Sequence, residues 1–194
     1  MKLIIASTNK GKIQEFKSIL AGSDLQVIGM EEVGIAQGAD ETADTFEGNA
    51  MLKAKYVSAL CGEAAVADDS GLCVQALGGA PGVYSARYSG ENAADHDNNL
   101  KLLAEMEKET NRDAKFVCAI AVAHPNGKTQ LFKGELKGKI AFEMKGKGGF
   151  GYDCLFYLPQ YKMTSAEIPP ELKNKISHRA KALFKLKNYL LNGK

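Results

Sequence analysis

Apolar positions along the chain fall into two patterns, short unbroken runs and residues three or four apart. Leu3-Ile4-Ile5-Ala6 is a short run; the polar stretch Ser7 to Lys12 follows, then Ile13, Phe16, Ile19 and Leu20 at helical spacing. A period near 3.6 marks one face of a helix, so this opening predicts strand, loop and helix, with Gly22 closing the helix. Leu25 to Ile28 predicts a weak second strand, and the polar, irregular residues 30–45 predict a loop. Asp44 with Glu47 three positions on resembles a capping box, predicting a helix that runs to about Cys61 and stops at Gly62. Ala64–Ala67 and Leu72–Leu77 predict strands on either side of an Asp68-Asp69-Ser70-Gly71 turn.

Leu100, Leu103 and Met106 predict an amphipathic helix over 92–109. Phe116–Ala123 and Gln130–Ile140 predict two strands joined at Pro125-Asn126-Gly127, a strong hairpin signal. Gly146 to Gly151 is glycine-rich, Cys154–Leu158 returns to strand, and Leu183, Leu186, Tyr189 and Leu190 place a last helix over 178–192. The fold class is α/β with a mixed sheet, because the hairpin forces some antiparallel pairing. No repeat, linker or low-complexity segment interrupts the 194 residues, which suit a single domain over 1–194.

Composition narrows the functions. Hydrophobic residues make up 45% and charged residues 25%, with a formal net charge of +2. That is ordinary for a soluble globular chain and too little charge to argue for a nucleic-acid or membrane partner. Cys61, Cys73, Cys118 and Cys154 form no CxxC pair, which speaks for a reducing compartment and against a disulfide scaffold or zinc site. The apolar run at the N-terminus is short for a signal peptide and nothing approaches a membrane span, so a cytoplasmic location is expected.

Three segments carry candidate chemistry. Two adjacent carboxylates, Asp68 and Asp69, follow an apolar run; taken alone, turn chemistry accounts for them more readily than a site does, and a site requires cations elsewhere in the chain to offset their charge. The loop Ser7-Thr8-Asn9-Lys10-Gly11-Lys12 lies between a strand and a helix start, where free backbone N–H groups favour anions, although it lacks the spacing of a Walker loop. In Gly146–Asp153, glycines surround Phe150 and Tyr152, either of which offers a face for a base; a tight turn with core aromatics is the alternative. Ser177-His178-Arg179 opens the last helix. Glu41, Asp68 and Asp69 offer hard oxygen ligands suited to Mg²⁺, and Lys12, Lys53, Lys173 and Arg179 offer charge to neutralise a polyphosphate. A nucleoside triphosphate needs all of these.

The motifs and their order resemble the inosine triphosphate pyrophosphatase family, also called the Ham1 family. The resemblance covers nearly the whole chain. It rests on S7-x-N9-x-x-K12, on E41-T42-x-x-T45-F46-x-x-N49-A50-x-x-K53, and on A67-D68-D69-S70-G71-L72. It continues through G78-G79-A80-P81-G82-V83-Y84-S85-A86-R87-Y88 and G148-G149-F150-G151-Y152-D153 to S177-H178-R179. Ser7 stands where the family often has Thr, which keeps the hydroxyl. Pro169-Pro170 precedes Lys173, which still lies five residues before His178.

The resemblance implies an elongated mixed β-sheet flanked by helices, two lobes with a substrate cleft, and a homodimer. It implies hydrolysis of ITP, dITP and XTP between the α and β phosphates, with Mg²⁺ held by Glu41, Asp68 and Asp69 and with Asp69 as proton acceptor. Substrate binding is expected from Ser7, Thr8, Asn9, Lys10, Gly11 and Lys12, from Lys53 and Ser70, and from Lys173. Phe150, with Gly151, Tyr152 and Asp153, would hold the purine, while His178 and Arg179 would face its 6-position. A non-enzymatic nucleotide sensor would need the same pocket without the intact carboxylate set. A single-strand nucleic-acid binder would need a more basic chain.

Overall fold

The computed structural model describes residues 2–192. Seven strands form one sheet: β1 (Lys2–Ile5), β2 (Gln26–Gly29), β3 (Ala65–Val74), β4 (Asp113–Ala123), β5 (Thr129–Ile140), β6 (Phe156–Leu158) and β7 (Met163–Thr164). Their order is β2-β1-β3-β4-β5-β6-β7. β1 runs parallel to β2 and β3, whereas β6 is antiparallel to β5 and β7, so the sheet is mixed as expected. Five helices accompany it: α1 (Lys10–Leu20), α2 (Phe46–Cys61), α3 (Asp95–Glu105), α4 (Pro170–Ile176) and α5 (His178–Asn192). Among the described residues no helix is long and apolar enough to cross a membrane.

The chain gathers into two compact units. The first takes residues through Asp69, Cys118–Gly134 and the chain from Arg179 onward; the second takes Ser70–Val117 and Glu135–His178. In the first, Leu3 and Ile5 of β1 meet Phe16 and Leu20 of α1 and Leu183 and Leu186 of α5 in one buried cluster. The apolar face read from the 3.6 period is the face that is buried. In the second, Leu72 and Val74 cluster with Leu102 and Met106, and with Phe156 and Leu158 of β6. Asn9 caps α1, its Oδ1 accepting from the Lys12 N–H at 3.0 Å. Thr45 caps α2, its hydroxyl accepting from the Gly48 N–H at 3.1 Å, and Gly62 ends the helix. The cap is therefore Thr45, one residue beyond the expected Asp44; Glu47 pairs with Lys133 instead.

The largest correction concerns Asp68-Asp69-Ser70-Gly71. The sequence predicts a turn, but β3 runs unbroken from Ala65 to Val74 through all four residues. Val66 and Ala67 are fully buried and Asp68 and Asp69 nearly so. Local turn preference yields where a strand is central to a sheet and cations from other elements offset the carboxylates. The predicted helix over 92–109 is shorter, Asp95–Glu105. Sequence reading also missed α4, whose first residue is Pro170, because a Pro-Pro pair reads as a break; proline suits the first helical position, where no N–H partner is needed. The brief strand β7 and the 3₁₀ turns at Met30–Val33 and Gly82–Arg87 also lie outside the predicted elements.

Candidate active site

Asp68 and Asp69 are consecutive in β3, and successive side chains on a strand point to opposite faces. Their partners bear this out. Asp68 Oδ2 accepts from Arg179 Nε at 3.2 Å and Nη2 at 3.0 Å, with Lys12 Nζ at 3.3 Å. Asp69 meets α2 instead: Asn49 Nδ2 donates to its Oδ2 at 3.2 Å, and Lys53 Nζ to its Oδ1 at 3.4 Å. Asn49 and Lys53 are four residues apart and so share one face of α2. Asn49 Oδ1 in turn accepts from the Ala43 N–H at 2.9 Å, which fixes the amide and with it the carboxylate it holds.

The two carboxyls are driven in opposite directions. Burial would raise Asp68, but Lys12, Arg179 and Lys53 outweigh burial and hold its carboxyl well below the ordinary value of 3.8. Burial does raise Asp69, against the pull of Lys53 and Lys12 and with repulsion from Glu41 adding to it. Burial would lower the half-buried Lys53, yet Asp69, Glu41 and Asp68 hold its ammonium above the ordinary 10.5. One aspartate is thus a locked anion and the other a strengthened base.

Lys53 Nζ also lies 2.5 Å from Glu41 Oε1, so Glu41 and Asp69 converge on one ammonium. Among the described residues no group of three or more His, Cys, Asp or Glu side chains is gathered as metal ligands. Of the expected trio, Glu41 and Asp69 meet at Lys53, while Asp68 Oδ2 is held by Arg179 and Lys12 and acts on Lys53 through its charge. Glu41 and Asp69 fit a hard cation: both are oxygen donors, and they converge on one ammonium.

Arg179, expected at the base, is bound to carboxylates. It is 2% exposed, and besides Asp68 it bonds Glu15 of α1 through Nη1. Its guanidinium bonds two carboxylates. Glu15 was not a predicted site residue; the available signal was its place three residues after Lys12, which puts both on one face of α1. In the loop before α1, Ser7 Oγ accepts from the Asn9 N–H at 3.2 Å, while Thr8 and Lys10 are exposed.

The second unit holds the aromatic group. Asp153 Oδ2 accepts from the Phe150 N–H at 3.0 Å and from Lys173 Nζ at 2.6 Å, and that ammonium lies 5.0 Å from the centre of the Phe150 ring. Lys173, expected among the phosphate ligands, thus sits with Phe150 and Asp153. Gly149 has φ +73°, and a Cβ there would come within 2.1 Å of Asp153 Oδ2, so only glycine lets the loop close over this carboxylate. Tyr152 is 5% exposed, in the core, with its hydroxyl donating to Ser85 O at 2.8 Å; Phe150, half-buried, is the ring with a face to offer. His178 stacks on Phe116, with centroids 4.8 Å apart and 15° between the planes. Ser70, the first residue of this unit, is half-buried in β3.

An open mixed sheet defines the class, an α/β protein, with a carboxylate and ammonium centre in the first unit and a glycine-flanked aromatic loop in the second. Within that class the chain belongs to the Ham1 family, whose family model matches residues 3–189. It is 49% identical over 187 residues, 95% of this chain and 93% of the other, to a protein of Desulforamulus reducens named dITP/XTP pyrophosphatase. The structure of the Staphylococcus aureus Ham1 protein matches with a TM-score of 0.90 at 44% identity, covering 100% of both chains. That of a HAM1 protein from Coxiella burnetii matches at 0.91 and 39% identity, covering 99% of both.

Proposed function

We propose that this protein hydrolyses the deaminated purine nucleoside triphosphates ITP, dITP and XTP to the nucleoside monophosphate and pyrophosphate, so keeping these bases out of DNA and RNA. The name carried by the Desulforamulus reducens relative supports the substrate class. The observation that carries the chemistry is Asp69, a buried carboxyl with raised proton affinity held against the protonated Lys53. A sensor has no use for a strengthened base.

Asp69 takes the proton of the attacking water, for which a carboxylate of raised pKa is the better acceptor. The water oxygen bonds to the α-phosphorus, the α–β anhydride bond breaks, and pyrophosphate leaves with the bonding pair. Asn49 keeps the Asp69 carboxylate oriented throughout. Lys53 stays protonated and, with Lys12, stabilises charge on the phosphates. Asp68, locked by Arg179, holds Lys12 in place. Glu41 and Asp69 would hold Mg²⁺, which when bound supplies charge to the phosphate oxygens and acidifies water. Phe150 stacks on the purine with Lys173 and Asp153 behind it, and His178 reads the 6-keto group. Ser7 to Gly11 and Ser70 complete the substrate contacts. The family resemblance further supports Mg²⁺ as the cation, a homodimer and a cytoplasmic setting.

Anion-exchange separation of the products tests the reaction. ITP with Mg²⁺ is expected to give IMP and pyrophosphate; IDP and orthophosphate as main products would overturn it.

A further inference from the structure

The loop that carries Phe150 is held from outside by a helix to which no role has so far been given. Gly151, the next residue, is gripped at both of its backbone groups by α3. Its N–H donates to Asp95 Oδ2 at 2.6 Å, and its carbonyl accepts from Asn99 Nδ2 at 2.9 Å. Asp95 and Asn99 are four residues apart and so share a face of α3. Asn99 Nδ2 gives its second hydrogen to the Asp95 carbonyl at 2.8 Å, which fixes the amide plane. Asn99 is 2% exposed, and its Oδ1 has no hydrogen-bond partner among the described residues. An unpaired buried acceptor is costly, and here the cost accompanies an amide whose two donors are both committed to the clamp.

The grip matters because of what flanks Phe150. Gly149 and Gly151 have φ of +73° and +61°, so the ring sits between two residues of high intrinsic freedom. Asp153 fixes the Phe150 N–H on one side, and α3 fixes Gly151 on the other. We infer that Asp95 and Asn99 are positioning residues for base recognition: they fix the direction of the Phe150 ring before a nucleotide arrives, without touching it. The inference rests on the reading of Phe150 as the stacking face. Ordering done in advance is ordering the ligand does not have to impose, so loss of the clamp weakens binding rather than the chemical step.

Asp95→Ala, Asn99→Ala and Phe150→Ala are compared in ITP turnover, with inorganic tripolyphosphate as a competing probe that has no base. Asp95 is exposed, so Asp95→Ala tests the clamp even where the buried Asn99 variant fails to fold. The clamp variants are expected to raise KM for ITP roughly three- to tenfold with kcat nearly unchanged. Tripolyphosphate inhibition should stay at the parent level, Asp95→Asn should recover most of the loss by keeping an acceptor oxygen, and adding Asp95→Ala to Phe150→Ala should raise KM no further. A raised KM in Phe150→Ala with parental KM in Asp95→Ala would overturn the clamp alone. Parallel loss of kcat and tripolyphosphate affinity would reduce the clamp to a folding contact and overturn it too. A parental KM in Phe150→Ala would instead remove the stacking reading beneath it.

Discussion

Asp68 and Asp69 are sequence neighbours in one strand, yet Arg179 and Lys12 pull one carboxyl down while burial pushes the other up. The alternation of β3 makes this possible, since it gives the two side chains different direct contacts, Arg179 and Lys12 for Asp68, Asn49 and Lys53 for Asp69, while the charges of Lys12 and Lys53 reach both. Opposite environments for paired carboxylates are how a single fold separates a fixed anion from a working base.

Asp69→Asn should lower kcat by about 10²–10⁴-fold while nucleotide binding persists. Because the ionised Asp69 is disfavoured in the folded chain, its neutralisation should leave Tm unchanged or raise it. Turnover and thermal melting on one preparation check both halves. Activity within a few-fold of the parent would reassign the base.

Arg179→Ala leaves the buried Asp68 and the half-buried Glu15 without their shared cation. Breaking such a pair from one side costs about 3–5 kcal/mol, so a large fall in denaturant midpoint is expected. Since the guanidinium serves these carboxylates, kcat/KM should fall for ITP and ATP alike. A selective loss for ITP would restore Arg179 to base recognition.

The pH dependence follows from the directions of the shifts. Asp68 is lowered, so its contribution is present above the unfolded value of 3.8 and lost as pH falls through its folded value below that. Asp69 is raised, so between 3.8 and its folded value the native state binds more protons and stability declines as pH rises. The acid limb of kcat/KM should therefore lie above 3.8. Lys53→Met removes the main cation lowering Asp69, and should move that limb to higher pH. A limb that stays put in Lys53→Met would separate Asp69 from the pH profile.

Much of this was legible in the sequence. The helical spacing of Phe16, Ile19 and Leu20 and of Leu183 and Leu186 marks two buried faces, and Gly62 and the Asn126-Gly127 hairpin punctuate as read. Asp68 to Gly71 misled because turn-forming residues there occupy a buried strand, a choice made by partners far away in sequence. The Arg179 to Asp68 pair spans 111 positions and the Lys173 to Asp153 pair 20, and no local pattern encodes either. The charged and aromatic residues were therefore recognisable as types, whereas the allotment of Lys173 to Phe150 and of Arg179 to Asp68 needed the fold.

The most direct test is a panel of ITP, dITP, XTP, GTP and ATP with Mg²⁺, scored by kcat/KM for pyrophosphate release. The three deaminated substrates should exceed ATP and GTP, with ITP over ATP by at least about tenfold, the discrimination that one unpaired buried polar group provides. Equal values for ITP and ATP, or no pyrophosphate from any of the five, would contradict the account.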